Sequence, residues 1–453
     1  MEYDLTKGPV APLMLNLAIP ASVGFFFHTM YNVVDQFCAG RFISEDALAA
    51  LTLAVPVFFI LVSVSQGIYA GGTAMVSNAI GEGDEEQARA LSAQVITAGL
   101  MASVVVTLVG WLVSPGLFRW LGAEGEYLAL ALEYMNVIFA GTIFFLLVNV
   151  LNVPLMARGN TKVFRNALIL GFVLNVILDP LFIYWGFGLR GVAFATVLIQ
   201  GINGVYIGCC VARAGHLSWA ILPALRPKLH CQLQLMKYSV PAALNMATIA
   251  IGIFVITYFV SKFGVTATAA YGIATRVEQI ALLPAIGLNI ATLSMVGQNY
   301  GAREFGRVRE VVWIALRYGL ILWAIGGGLL LLAGPYLIRA FLGEEVVENV
   351  DEVCAVGWTY LKVAAITLWG YVVTFVVSNA LQGLKRPMTA VWVGVFRQFF
   401  APIAFIYLLT EVWDWGLSGV WWGVFVSTWG GALLAWCLLA RTLRQREREE
   451  IPG

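Results

Sequence analysis

The stretch ALAALTLAVPVFFILVSVSQGIYAGGT, at residues 47–73, contains no charged side chain and is long enough to cross a lipid bilayer as one helix. It runs on into MVSNAIG at residues 75–81, and a similar heptapeptide, MVGQNYG, occurs at residues 295–301. A charged loop follows each heptapeptide. Because the offset of about 220 residues is close to half the chain, the sequence predicts a membrane protein built from two related halves.

Composition agrees with a chain that lies mostly in lipid. Of its 453 residues, 60% are hydrophobic and 12% are charged, and the mean hydropathy is +0.83. A net charge of +1 provides no basic field for nucleic acid, so no nucleic-acid partner is expected. The sequence contains no phosphate-binding loop, HExxH motif or Cys/His cluster. It therefore predicts that the protein has no cofactor and is not an enzyme.

Apolar runs of about 20 residues predict twelve transmembrane helices. They lie at residues 11–39, 47–73, 91–113, 127–157, 164–185 and 190–212, and then at residues 234–261, 268–297, 310–333, 353–382, 388–410 and 417–440. Since six is even, both halves enter the membrane from the same side, as parallel repeats do. The predicted fold class is an all-α integral membrane protein with two pseudo-symmetric six-helix lobes around a central cleft.

The predicted boundaries divide the chain near its midpoint. They are an N-lobe at 1–212, a cytoplasmic linker at 213–233, a C-lobe at 234–441 and a cytoplasmic tail at 442–453. Most lysines and arginines fall in loops on one side of the membrane, and the other side has only Arg41, Arg119, Arg190, Lys262 and Arg339. This asymmetry predicts that both termini are cytoplasmic, in a multi-pass protein of the cell's inner (cytoplasmic) membrane.

Two carboxylates at membrane depth, Asp35 and Asp179, are candidates for function, because a charge there costs about 2.5–3.5 kcal/mol. Asp35 lies six residues before Arg41 and Asp179 a similar distance before Gly186. The two spans run in the same direction, so the two carboxylates are expected at one depth. Their approximate counterparts in the second half, Ile256 and Ala401, are uncharged. A carboxylate pair in one lobe only favours a specialised cation site.

Other polar side chains share helix faces with these aspartates or occupy neighbouring spans. They are His28 and Tyr31 with Asp35, Asn175 with Asp179, Asn149 with Asn152, and Thr196 with Gln200. Because lipid cannot satisfy such groups, the four faces are predicted to turn towards one another and form a polar pocket. A structural alternative remains open, in which these side chains only tie helices together or, as for Thr196, bond back to their own helix.

The second half has charges of both signs inside its spans: Arg276, Glu278, Lys362 and Arg397. Opposite signs favour internal pairing, with substrate contact or coupling as the alternative. Glu278 and Arg276 are therefore secondary candidates for the functional site.

The motifs YNVVDQF around Asp35 and NVILDP around Asp179, with the two heptapeptides and the twelve spans, resemble the multidrug and toxic compound extrusion family. The aspartate pair resembles its DinF-like branch. The resemblance implies export of drug-like small molecules, by antiport against protons or sodium, through a V-shaped cleft between the lobes. It implies no cofactor beyond the coupling ion, and we expect a monomer in the bilayer.

The resemblance also implies roles for individual residues. A proton or Na⁺ would bind at Asp35, Asn175, Asp179 and Thr196. The cavity would be lined by Tyr31, Asn149, Asn152 and Gln200, with Pro20 at a bend of the first helix. His28 joins this predicted cavity by its spacing on the first span and not by the resemblance.

Two other functions remain alternatives. A lipid-linked precursor flippase of the same superfamily would need a more cationic cavity. A membrane-embedded enzyme would use Asp35 and Asp179 as acid and base, but no nucleophile or metal ligand accompanies them. The sequence predicts neither the identity of the substrate nor which of the two ions is coupled.

Overall fold

The computed structural model describes residues 3–215, 225–342 and 350–450, and these residues form helices without any strand. The helices of the first half are α1 (Val10–Phe42), α2 (Glu45–Gly81), α3 (Glu85–Trp120), α4 (Gly125–Ala140), α5 (Thr142–Ala157), α6 (Thr161–Tyr184) and α7 (Gly188–Arg213). Those of the second half are α8 (Leu229–Ser261), α9 (Val265–Gly301), α10 (Phe305–Leu342), α11 (Val350–Gly383), α12 (Pro387–Val395), α13 (Ala401–Tyr407) and α14 (Gly416–Glu450). One π-helical turn precedes α13 (Phe396–Phe400) and another follows it (Leu408–Val412).

The predicted all-α membrane fold is confirmed. Within the described ranges, eleven helical segments are long and apolar enough to cross a membrane, and α4 with α5 completes a twelfth span. The prediction of one continuous fourth span over 127–157 is wrong in one respect, because α4 and α5 meet at an angle of 45°. A Cβ at Gly141, between them, would lie 2.3 Å from Cγ2 of Val197 on α7. The absence of a side chain at Gly141 therefore lets α7 pack directly against the break.

The internal repeat is visible in the backbone at the ends of α2 and α9. The amide of Asp84 bonds to the carbonyl of Ala79 at 3.0 Å, and the amide of Glu304 bonds to that of Asn299 at 2.8 Å, 220 positions later. The left-handed residue of each turn is also equivalent, with φ of 78° at Gly83 and 60° at Arg303. The two turns thus have the same geometry although their sequences differ.

Packing divides the chain into two compact units. One comprises Met1–Leu5 and Pro20–Ala243, and the other comprises Thr6–Ile19 and Leu244–Gly453. The divisions fall between Leu5 and Thr6, inside α1 at Pro20, and inside α8 close to Pro241. These bounds differ from the predicted lobe boundaries at 212 and 234, because the two long helices change unit part-way along their length.

The end of the predicted linker packs against α3 within the first unit. Thr97 donates its hydroxyl to the carbonyl of Leu225 at 2.8 Å, and Gln94 bonds both the carbonyl of Arg226 and the amide of Lys228 at 2.9 Å. Residues 216–224 of the linker lie outside the described residues.

Candidate functional site

The two intramembrane aspartates of the first unit meet, as their shared depth predicts. Asp35 is on α1, and Asn175 and Asp179 are on α6, one helical turn apart. The Nδ2 of Asn175 donates to Oδ1 of Asp35 at 2.7 Å. Asp179 and Asn175 are fully buried, whereas Asp35 is 7% exposed. The amide therefore links the two helices and orients the carboxylate of Asp35.

Asp179 has an unusual environment for a buried acid. Its carboxyl group lies close enough to Asp35 and Asn175 to interact electrostatically with both. Neither of its oxygens accepts a hydrogen bond from any N–H or O–H in the described part of the chain. Because two desolvated carboxylates close together repel each other, a proton or a bound cation stabilises the pair.

Two tyrosines and a threonine surround the pair. Tyr31 of α1 is buried, and its phenol lies beside the hydroxyl of Thr196 on α7. Thr196 donates to the carbonyl of Val192 at 3.0 Å, so it does bond back to its own helix. Tyr134 of α4 is also buried and close enough to interact electrostatically with both aspartates. Sequence reasoning missed Tyr134, because an uncharged aromatic residue in an apolar span has no polar neighbour at helical spacing to mark it.

A cavity of about 170 Å³ opens beside this cluster. Six of the predicted residues line it: His28, Tyr31, Asp35, Asn149, Thr196 and Gln200. Asn175 and Asp179 lie behind Asp35 and are not part of the cavity wall. Helix α2 contributes further lining that the sequence did not predict, including Phe58, Ser65 and Gln66.

Two residues predicted for the cavity lie elsewhere. Asn152 is fully buried, does not line the cavity, and its amide atoms have no hydrogen-bond partner among the described residues. Asn149 instead faces the cavity, and its Nδ2 donates to the carbonyl of Phe145 at 3.1 Å. Side chains three positions apart on an α-helix point in directions about 60° apart. This angle is enough to place one amide at the cavity wall and the other outside it. Pro20 is buried inside α1, at the division between the units, and does not line the cavity either.

His28 lies on the exposed side of α1 at the cavity wall. Its ring centroid is 6.3 Å from those of Phe25 and Tyr31, and its carbonyl accepts a hydrogen bond from Nδ2 of Asn32 at 3.0 Å. The side chain is thus part of an aromatic surface of the cavity rather than of the carboxylate cluster.

The charges of the second unit are arranged differently. Glu278 on α9 is buried and accepts a hydrogen bond from the hydroxyl of Tyr360 on α11. The guanidinium of Arg397 lies 4.4 Å from the ring centroid of Tyr371 and interacts electrostatically with Glu278. Glu278 therefore has both a hydrogen-bond donor and a cation nearby, whereas no cation among the described residues acts on Asp179. Arg276 is exposed on α9 and stands apart from this network.

The oxygens of the first cluster are suitable ligands for a hard cation. Both carboxylate oxygens of Asp179 and Oδ1 of Asn175 are buried and receive no hydrogen bond from the described residues. Carboxylate, amide and hydroxyl oxygens are the ligand types that hard cations prefer. Among the residues described, no group of three or more His, Cys, Asp or Glu side chains could hold a metal ion. A cation at this cluster would therefore rely on amide and hydroxyl oxygens besides the two carboxylates.

A cavity among membrane-spanning helices, with one carboxylate at its wall and a second buried behind it, is an arrangement that a membrane transporter can use. A family model described as MatE matches residues 20–181 and again residues 241–408, once in each half. The chain belongs to the MatE family and is a transporter rather than an enzyme. The suggested resemblance is thereby confirmed at the family level, and the DinF-like branch stays a prediction.

Similar proteins cover nearly the whole chain. The probable multidrug resistance protein YoeA of Bacillus subtilis (strain 168) is 24% identical, over 89% of this chain and 88% of its own. The multidrug export protein MepA of Staphylococcus aureus (strain bovine RF122 / ET3-1) is also 24% identical, over 98% of this chain and 96% of its own. A solved structure of a multidrug resistance MATE family transporter in an outward-facing conformation superposes with a TM-score of 0.91, at 24% identity and with 98% of each chain covered.

Proposed function

We propose that this transporter exports organic, cationic or amphipathic drug-like molecules by antiport against a proton or a sodium ion, with Asp35 and Asp179 as the coupling site. One observation carries the proposal: the carboxylate of Asp179 is fully buried beside a second carboxylate and receives no hydrogen bond from the described residues. Such a group requires a compensating positive charge, which a proton or Na⁺ supplies.

The positions of the two carboxylates support an order in which the coupling cation reaches them. Asp35 lies at the cavity wall and Asp179 lies behind it, so a cation reaches Asp179 past Asp35. When the cation neutralises the pair, the cavity wall loses its negative charge and a cationic substrate binds more weakly. When the cation leaves, the negative charge returns and the substrate rebinds. Each ligand lowers the affinity of the other by the same factor, as linkage requires.

The cavity lining supports the substrate class. Phe25, Phe58 and Phe145 contribute aromatic surface, and the described lining residues include no lysine or arginine. Aromatic rings near paired carboxylates favour flat organic cations. A flippase for an anionic lipid-linked precursor would need basic groups in this wall, so the lining favours the multidrug function that the names of YoeA and MepA carry.

One feature of the site favours Na⁺ as the coupling ion, and another favours a proton. The donor-free oxygens of Asp179 and Asn175 suit Na⁺, which prefers several oxygen ligands. The proximity of the two carboxyl groups suits a proton, because a protonated carboxyl group could donate a hydrogen bond to the other. Only a measurement with each gradient alone separates them.

The protein is proposed to be a monomer in the cytoplasmic membrane. In the proposed orientation, both termini lie in the cytoplasm. The support for this orientation is the excess of lysine and arginine in the loops on one side. Epitope tags on either terminus should be inaccessible in intact cells and accessible after permeabilisation. Labelling of a tag in intact cells would contradict this orientation.

The test of coupling uses the full-length protein in liposomes loaded with a fluorescent cationic dye. Efflux is measured under a pH gradient alone and under a sodium gradient alone. We expect one gradient to drive efflux by the wild type, and Asp35→Asn and Asp179→Asn to abolish the driven component while the protein still inserts. Asp351→Asn, in an exposed ion pair with Arg339 at 2.9 Å, is the matched control and should transport normally. Wild-type efflux by either aspartate variant would refute the proposed role of that aspartate.

A further inference from the structure

The cavity wall continues along one face of α2 as a row of hydroxyl groups. Ser65 lines the cavity, and Tyr69, Thr73 and Ser77 follow it at intervals of four residues. Side chains four positions apart lie on the same side of an α-helix, one turn after another. The row therefore extends for about 18 Å along the helix axis and ends one turn before Gly81, the last residue of α2.

The four hydroxyl groups are buried and lack the hydrogen bond that other buried hydroxyl groups of the chain make. None of the four residues is more than 7% exposed, and none of their hydroxyl oxygens has a hydrogen-bond partner among the described residues. In contrast, Ser63 on the same helix donates to the carbonyl of Phe59 at 2.8 Å, and Ser92 on α3 donates to that of Ala88 at 2.7 Å. A buried hydroxyl group without a partner is unfavourable, so the row favours a ligand that can both donate and accept hydrogen bonds.

Helix α5 adds a fifth polar side chain at the same depth. Asn152 lies three residues beyond Asn149 of the cavity wall, is fully buried, and its amide atoms have no partner in the described part of the chain. The two helices approach closely here, because a Cβ at Gly72 of α2 would lie 3.5 Å from Cγ2 of Val153. Thr73 and Asn152 are the next residues along the chain from this contact, so they lie at one level of the first unit.

Water is the ligand whose size and chemistry fit these groups. Thr73 and Ser77 are separated by about 6 Å along the helix axis, which is about the length of two hydrogen bonds through one water molecule. Each hydroxyl group can donate one hydrogen bond and accept two, so it can bind a water molecule on either side. Water molecules inside proteins typically bind polar groups that have no other partner.

We propose that this face of α2, together with Asn152, binds a row of internal water molecules, and that the row carries the coupling cation towards the end of α2. Asp35 and Ser65 line the same cavity, so the row begins at the cavity that the carboxylate pair borders. Gly81 is at the surface that is proposed to be cytoplasmic, which is where the cation is released. The transport role rests on the proposed function, whereas the water sites do not.

The row does not let the ion gradient leak in the conformation described. Only Ser65 lines the cavity, and Tyr69, Thr73 and Ser77 are buried and lie outside its wall. A cation therefore passes along the row only after the conformation changes.

The water sites are tested by X-ray hydroxyl-radical footprinting of the full-length wild type in detergent micelles, with mass spectrometry as the readout. X-rays generate the radicals from water, so a buried side chain is oxidised only where a water molecule is bound beside it. Tyr69 should be oxidised. Tyr360, which is also 7% exposed but donates its hydroxyl to Glu278, is the matched control and should stay at background. Equal oxidation of the two tyrosines, or of neither, would overturn the proposal without the use of any variant.

The double variant Thr73→Val/Ser77→Ala tests the transport role, because it removes two hydroxyl groups with little change in volume. It should reduce oxidation of Tyr69 and slow gradient-driven dye efflux from liposomes per inserted molecule. Affinity for the dye should equal that of the wild type, because the cavity and both aspartates are intact. Thr73→Ser keeps the hydroxyl group, and Ser92→Ala removes one that already bonds within α3, so both controls should match the wild type in all three measurements.

Two results separate the row from the coupling site. Reduced oxidation of Tyr69 in the double variant with efflux unchanged would refute the transport role of the row. If instead Asp35→Asn and Asp179→Asn retain driven efflux, the proposed function fails and the transport role fails with it, while oxidation of Tyr69 would still establish the water sites.

Discussion

Replacing Asp179 by asparagine should make the protein more stable while it abolishes coupled transport. Asn is nearly isosteric with Asp, so the packing around this fully buried position is retained. The new amide can donate to the carboxylate of Asp35, and a hydrogen bond to a charged group contributes about 1.5–3 kcal/mol. The substitution also removes the electrostatic repulsion between the two carboxylates.

The expected gain in the free energy of unfolding follows from these contributions. Two like charges about 4 Å apart repel by about 4 kcal/mol at an effective dielectric constant of 20. Only part of this repulsion is relieved, because the wild-type pair already lowers it by holding a proton or cation. Leaving the remaining amide oxygen without a partner costs about 1–3 kcal/mol. The expected net rise in the free energy of unfolding is about 2 kcal/mol.

The assay is reversible unfolding in mixed micelles of detergent and sodium dodecyl sulfate at mildly alkaline pH, beside dye efflux from liposomes. The stability difference should shrink as the medium is acidified, because protons relieve the same repulsion in the wild type. The control Asp351→Asn removes a carboxylate from a solvent-exposed ion pair and should change stability by less than about 1 kcal/mol. A loss of stability in Asp179→Asn, together with retained efflux, would identify Asp179 as a scaffold residue and refute the reasoning.

Three further predictions concern other parts of the fold. Glu278→Gln should lower the free energy of unfolding by about 1–3 kcal/mol, because it removes the charged acceptor of the Tyr360 hydroxyl and a negative charge that interacts with buried Arg397. Ion-driven efflux per folded molecule should persist; loss of that efflux in a folded variant would assign Glu278 to coupling. Gly141→Ala should destabilise the protein by about 1–3 kcal/mol through contact with Val197, and the second change Val197→Ala should restore most of the loss in the same unfolding assay; an absence of rescue would contradict the contact. Pro20→Ala should slow dye efflux more than it lowers the amount of folded protein, because the proline removes a backbone hydrogen bond where α1 changes unit; efflux equal to that of the wild type at equal expression would exclude a role for this bend.

Predictions from the sequence were most accurate where they depended on position along a helix. Hydropathy and axial rise are local properties, so twelve spans and the common depth of Asp35 and Asp179 could be predicted by counting residues. The repeat could also be predicted, because the ends of α2 and α9 share Met, Val and Gly at the same spacing. Family membership followed from the same motifs and is confirmed by the match to both halves.

The amino-acid sequence by itself therefore determined that this chain is a two-fold repeated helical membrane protein with a carboxylate pair in one half. Tertiary structure alone decided which polar groups meet. Asn175 bonds to Asp35 across two helices, Tyr134 approaches the pair from a third, and Asn152 faces away from the cavity that Asn149 lines. The physical reason is that the rotation of each helix about its axis, and its distance from its neighbours, result from the packing of all side chains together and leave no mark in the local pattern of any one span.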